Sequence, residues 1–250
     1  MSSIVATTVR RAPNCCEDTV HGMHVITQPG EAREVLTECP VPSVDREPAG
    51  VGMRWLRAHV ARFSDGVDHA RRRARAVAEL DTVSPTVLRQ RASELADQPH
   101  RLLAVRVLAE ALGFSSIDLE LVAEVAAAYQ PHNPAGPNAD RAVAGLVAAC
   151  GGVADERTAA RIGLLVQACQ ATDALVTAAL ERRPSSSPEE AVAETLRVDP
   201  PVRRTRRIYR GELVEVDLAG TGLGFGAGPH ECPGRDHAIA IATGIVTGRR

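Results

Sequence analysis

The stretch Phe225-Gly-Ala-Gly228-Pro-His230-Glu-Cys232-Pro-Gly234 decides how this chain is read. Gly226, Gly228 and Gly234 take side chains out of a short segment, so its backbone can pass close to a flat object. Cys232 ends the loop, just ahead of a helical pattern that starts near Arg235. Loop amides and the positive end of a helix lower a thiol's pKa, so the sequence predicts a cysteine biased toward its thiolate. Upstream the loop continues a glycine run from Gly220 that follows a strand pattern, and Gly222-x-Gly224-x-x-Ala227 fits a relaxed dinucleotide fingerprint. That reading fails on geometry. A pyrophosphate site needs a helix N-terminus directly after the glycines, whereas Pro229, Cys232-Pro233 and Gly234 keep this chain irregular until about Arg235.

A thiolate among amide donors is the proximal ligand of a haem-thiolate protein. The string resembles the cysteine-ligand loop of the cytochrome P-450 family at every fixed position. The resemblance implies that Cys232 is the axial thiolate of haem b iron. Phe225, Gly226, Gly228 and Gly234 then line the cofactor, and His230 contacts a haem propionate.

Further motifs follow in the family's order. Glu194-Thr-Leu-Arg197, ahead of Pro200-Pro201, resembles the family's Glu-x-x-Arg pair, which implies a buried structural pair that holds the cysteine-loop core. Read alone, it is a surface pair three apart on a helix. Arg203-Arg-Thr-Arg206-Arg207 is a basic run where the family sets one arginine against a propionate. Alignment on the prolines favours Arg206, with Arg204 and Arg207 as rivals. Phe63-Ser-Asp-Gly-Val-Asp-His69-Ala-Arg-Arg-Arg73 resembles a His-x-x-x-Arg segment, and residues four apart share a helix face, so His69 and Arg73 can reach one propionate. In the long helical stretch, Gly163-Leu-Leu-Val-Gln-Ala-Cys-Gln-Ala171-Thr172-Asp173 takes the place of the helix crossing the oxygen side of the haem. Thr172 holds the threonine position and implies a catalytic role there, while Ala171 replaces the usual acid. Asp173 is one residue late and points about 100° away.

Composition narrows the classes. The chain has 250 residues, 24% charged and 44% hydrophobic, long enough for one sizeable core. Its 29 basic side chains are all arginine. Without lysine there is no Schiff-base, phosphate-loop or kinase lysine and no Ser-Lys dyad. Aromatics at 2% and a net charge of −2 argue against base-stacking modules and nucleic-acid partners. Six cysteines with no Cys-x-x-Cys pair exclude a disulfide scaffold and a zinc ribbon. No run of about 18 apolar residues suggests a membrane span, and no secretory signal is read, so a cytoplasmic location is expected.

Helical patterns dominate: 31–36, 55–63, 68–80, from Ser84-Pro85, 102–112, 116–129 with a serine cap, 139–150, 155–183, from Ser187-Pro188, and from about Arg235. His24–Thr27 is a short strand candidate, and Leu213–Leu218 alternates as the one clear strand. Residues 1–20 read as a disordered leader and 21–250 as a single haem-binding domain, mainly α with a small β component: a reduced cytochrome P-450-like fold. The interval from Arg197 to Cys232 is too short for the family's meander, and the stretch from Arg73 to Thr172 implies a reduced roof over the substrate pocket.

The resemblance implies a haem-thiolate monooxygenase that inserts one oxygen atom from O2 into a small organic substrate, in the manner of secondary metabolism. Electrons would come from NAD(P)H through a separate ferredoxin and ferredoxin reductase. The absent acid and meander keep two alternatives open: a haem-dependent non-oxygenase or peroxide-driven enzyme, and a catalytically idle auxiliary subunit.

Overall fold

The structure is a computed structural model that describes residues 19–20, 23–45, 50–98, 102–114, 116–182 and 187–249. Ten α-helices and four strands lie in these segments: β1 (Thr19–Val20), β2 (Met23–Ile26), α1 (Pro29–Glu38), α2 (Met53–His59), α3 (Gly66–Leu80), α4 (Pro85–Glu94), α5 (Leu103–Ala111), α6 (Leu119–Ala128), α7 (Pro137–Ala149), α8 (Glu156–Arg182), α9 (Pro188–Val198), β3 (Arg204–Tyr209), β4 (Glu212–Asp217) and α10 (Arg235–Gly248). Single turns of 3-10 helix cover Ala61–Phe63 and Gly228–His230. The mainly-α class with a small sheet is as the sequence implies.

Proline and glycine punctuation sets most boundaries. Prolines open α1, α4, α7 and α9 within the first turn, where a missing N–H costs nothing. Ser187 and Glu190 form a full capping box on α9. Pro29-Gly30, which reads as a turn, is instead the first turn of α1. The expected serine cap near 116 is replaced by Asp118, whose carboxylate accepts from the Glu120 amide. Most of the expected leader lies outside the described residues, but Thr19–Val20 form a strand against β2.

α8 is the axis of the helical layer. It packs against α2, α3, α5, α6, α7, α9 and α10, and Ile162, Leu165, Val166 and Cys169 are among its buried residues. It is the one described helix long and apolar enough to cross a membrane, and more than half of the qualifying window is buried inside the protein. α10 lies across α4 at close range. A Cβ on Gly244 would collide with the Arg89 carbonyl, and one on Gly248 with the Ser93 carbonyl, so these glycines let the two backbones meet.

The sheet has the order β1-β2-β4-β3, with β2 and β4 parallel and the outer pairs antiparallel. The crossover between β2 and β4 contains nearly the whole helical layer. A second, smaller core joins this sheet to α1 through Ile26, Val35, Leu36, Val214 and Val216, and it also takes in Leu223 and Ala227. The glycine-rich segment is therefore anchored in the sheet core at one end and continues into α10 at the other.

β3 is absent from the sequence reading. Three of its six residues are arginine, which hides the alternation. Pairing with β4 makes it a strand: Arg206 faces Glu215 and Arg207 faces Val214 across the ladder.

Gly244→Leu should cost about 3 kcal/mol or more in a urea titration, because the α4 backbone cannot give way. Gly30→Ala, at a helical position with nothing within 4 Å of the added methyl, should be neutral or stabilise by about 0.5 kcal/mol.

Candidate functional site around Cys232

The cysteine loop is folded by its own backbone. Leu223 N–H donates to Leu218 O (2.9 Å), Gly226 N–H to Leu223 O (2.6 Å), Glu231 N–H to Gly228 O (3.0 Å) and Cys232 N–H to Phe225 O (2.9 Å). Gly226 and Gly228 hold φ of 77° and 67°, where a side chain would be strained. Gly228 also presses on α1: a Cβ there would sit 2.7 Å from Thr37 Cα. Pro200 backs Gly224 from the end of α9, and the Arg235 guanidinium lies 5.5 Å over the Phe225 ring.

Cys232 is exposed at the end of this loop. The protein packed around its inner side pushes the thiol pKa up. A hydrogen bond from the Gly234 backbone and the charges of Arg73 and Arg62 act against that without overcoming it. The expectation of a lowered thiol pKa is therefore corrected: without a bound cation, desolvation outweighs the amide and arginine contributions.

Around the cysteine the fold gathers side chains from three elements. His69, on α3, is buried and its ring lies 3.9 Å from that of His230. His230 Nε2 is 3.1 Å from Asp65 Oδ1. Arg73, one turn beyond His69, donates to the Glu231 carbonyl at 2.6 Å. From β3 comes Arg207, only 4% exposed, which donates to Arg206 O at 2.9 Å while its Nε is buried without a partner. Burial and the Arg62 charge push Arg207 down to about 10. Burial lowers both histidines as well, helped for His69 by Arg73 and for His230 by His69 and Arg207. Asp65 is the acid that opposes these shifts. The cleft thus holds several basic groups and one facing carboxylate.

Strand register separates the three candidate arginines. Arg204 and Arg206 share a face and pair with Glu215 at 3.1 and 3.3 Å. Arg207 takes the other face, where it is buried and its charge lowers His69 and His230. Glu194 and Arg197 form their ion pair, 2.6 Å at its shorter contact, but on the surface: the side chains are 47% and 70% exposed. The expected burial is not found, because in the short interval before Cys232 no segment folds over them. Thr172 is buried in α8 beside Cys169, and α8 packs on α10, the helix that the loop opens.

Asp65 is a site residue that the sequence reading passed over, although it lies in the quoted string before His69. It does not cap α3 with its side chain. Its carboxylate instead accepts from the Val41 amide (3.1 Å) and meets His230.

No family model matches the chain, and no curated protein matches it. Solved structures do. It aligns with a thermophilic cytochrome P-450 from Sulfolobus tokodaii at 16% identity and a TM-score of 0.72, covering 93% of this chain and 88% of that one. A cytochrome P-450 from the thermoacidophilic archaeon Picrophilus torridus, bound to 4-phenylimidazole, gives 15%, 0.69, 94% and 91%. The Bacillus subtilis bacillaene polyketide synthase cytochrome P-450 PksS gives 13%, 0.68, 90% and 81%. The chain has the cytochrome P-450 fold, in a short form.

The lowered histidines set an acid limit. His69 and His230 are both held below the ordinary value near 6.5, chiefly by burial. Below that pH the unfolded chain binds protons that the folded chain refuses, so stability is full above about 6.5 and falls as the pH drops. The urea midpoint should decline from pH 7 to 5.5, and His69→Gln should flatten the decline. A flat or rising midpoint would contradict this.

Proposed function

We propose that the chain is a haem-thiolate oxidoreductase of the monooxygenase type, acting on a small organic substrate, with residues 21–250 as one haem-binding domain. The observation that carries this is Cys232 at the end of a glycine-cradled loop, beside a cluster of basic groups that only Asp65 opposes, in a cytochrome P-450 fold. The residues fit haem b. Arg207 has a buried Nε with no partner, His69 and His230 share a polar cluster with Arg73 and the one acid Asp65, and glycines at 226 and 228 keep the loop backbone bare. When bound, the haem would supply the activation of O2 for oxygen insertion.

The chain's own part is positioning and charge. Cys232 would hold the haem iron as its thiolate, since coordination favours the thiolate over the neutral thiol. The Gly234 amide is placed to stay on the sulfur and to moderate its charge. Arg207, His69, His230 and Arg73 present donors to two carboxylates. Arg207 takes the propionate role in place of Arg206, which Glu215 already occupies. Thr172 is the hydroxyl on the distal helix available to hold a proton there. Electrons are supplied from NAD(P)H by separate redox proteins of the ferredoxin type.

Ala171 favours a second reading. With no acid next to Thr172, proton supply on the distal side is weak, which suits a peroxide-driven or non-oxygenase reaction. Turnover with peroxide and none with NAD(P)H and a ferredoxin system would select it.

The reduced, carbon-monoxide-treated protein should show a strongly red-shifted Soret band that Cys232→Ala abolishes; absence of any haem band in the wild type would end both readings. Arg207→Gln should weaken haem retention about tenfold, the worth of one charge-assisted hydrogen bond, with Arg206→Gln nearly unchanged. Thr172→Val should keep the haem spectrum and lower product formed per electron pair consumed.

A further inference from the structure

Cys232 is held to α3 from both sides. Before it, Arg73 donates to the Glu231 carbonyl at 2.6 Å. After it, His237 in the first turn of α10 reaches the end of α3: its ring Nε2 is 3.2 Å from Leu80 O and 3.0 Å from Val83 O. Two carbonyls can only accept, so Nε2 carries a proton and donates to both. Arg73 and Leu80 stand two helical turns apart on one face of α3, about 10 Å along its axis. Gly234 lies against the same helix end, where a Cβ would sit 3.7 Å from Leu80 Cδ1.

These contacts account for the ring. α3 ends at Leu80, and the last carbonyls of a helix lack partners within it, so buried ones need donors from elsewhere. Leu80 and Val83 are both buried, and the Val83 N–H reaches Leu80 O at 2.9 Å. His237 adds a donor from outside the turn. Its other ring nitrogen, Nδ1, is buried with no partner. That burial costs free energy that an apolar side chain in the same place would avoid, so the Nε2 contacts are what a histidine contributes here. Arg235, in the same turn of α10, lies over the Phe225 ring instead, and Asp236 is exposed.

We infer that His237 is a positioning residue for the cysteine: with Arg73 it clamps residues 231–237 to α3 at both ends, which fixes where the Cys232 sulfur stands and keeps the Gly234 amide on it. The Gly234 N–H donates to that sulfur, and Gly234 O accepts from the Ala238 N–H at 2.9 Å. A shift of the first turn of α10 therefore carries the amide away from the sulfur. One tether leaves the segment free to swing about Glu231, whereas two on the same helix face hold it. A ring that only capped α3 would matter to α3 alone. That the sulfur serves haem iron rests on the proposed function; the clamp itself does not.

The test compares the full-length wild type with His237→Leu, which removes the donor, and His237→Gln, whose amide N–H can take the place of Nε2. Amide hydrogen exchange is read residue by residue, and haem by absorbance. His237→Leu should speed exchange at Cys232 and Ala238 about fivefold or more, the worth of a lost hydrogen bond, and leave Ile245 and Val246 unchanged. His237→Gln should restore most of the protection. After reduction and carbon monoxide treatment, haem-loaded His237→Leu should show only part of the red-shifted Soret band at full haem content, and His237→Gln most of it. An unchanged rate at Cys232, faster exchange confined to the end of α3 around Val83, or an equal rise at every amide overturns the inference. So does a glutamine variant no better than the leucine one, or a full red-shifted band in His237→Leu. If His237→Leu does not fold, His237→Asn, too short to reach both carbonyls, takes its place with the same outcomes expected. A wild type without haem sinks the haem reading and leaves exchange to decide the clamp.

Discussion

The contact between the start of α3 and the cysteine loop organises the rest of the molecule. Asp65 meets His230, His69 lies against the same ring, and Arg73 holds the Glu231 carbonyl. These partners are about 160 residues apart in sequence, so the contact ties the two ends of the helical layer together. The contact is also electrostatically one-sided. His69 and His230 relieve the crowding of positive charge by staying neutral. Arg207 does not: even pushed down to about 10, it is charged at neutral pH and buried. A site with this much uncompensated charge is poised to gain stability from an anion, because a ligand that binds only the folded state stabilises it by mass action.

The two cores explain how so short a chain keeps this geometry. The sheet core grips the segment before Cys232 through Leu223 and Ala227, and the helical core takes the segment after it through Ile241, Ala242 and Ile245. The loop is therefore fixed at both ends without a meander. Glu194 and Arg197 pair but face solvent, and α9 bears on the loop through Pro200, which backs Gly224.

The helices were legible because their signals are local: apolar residues at i, i+3, i+4, opened by proline and closed by glycine. The cysteine loop was legible because glycine, histidine and cysteine at fixed spacing have few other uses together. What could not be read depended on partners far away in the chain. β3 hides under arginines until β4 pairs with it. Arg207 rather than Arg206 faces the cleft by a parity that strand register sets and distance from the prolines does not. The thiol's pKa turned on how much protein crowds it, which spacing does not encode. Asp65 carries no motif; its importance appears only when its partners can be counted in space.

The absence of lysine takes on a physical meaning in this setting. A buried lysine can shed its proton and remove its own charge, whereas an arginine holds its proton in the same place. A cleft built with Arg62, Arg73 and Arg207 therefore keeps its positive potential whatever the burial, and only an anion can neutralise it. Arg73 is tied to the Glu231 carbonyl, and the Arg207 charge acts on both histidines. Arg62 belongs to the same group: after burial its charge does most to lower Arg207, and it acts on Cys232 as well. The same constraint thus leaves one crowded set of fixed positive charges around Cys232, and such a set suits the paired carboxylates of a cofactor.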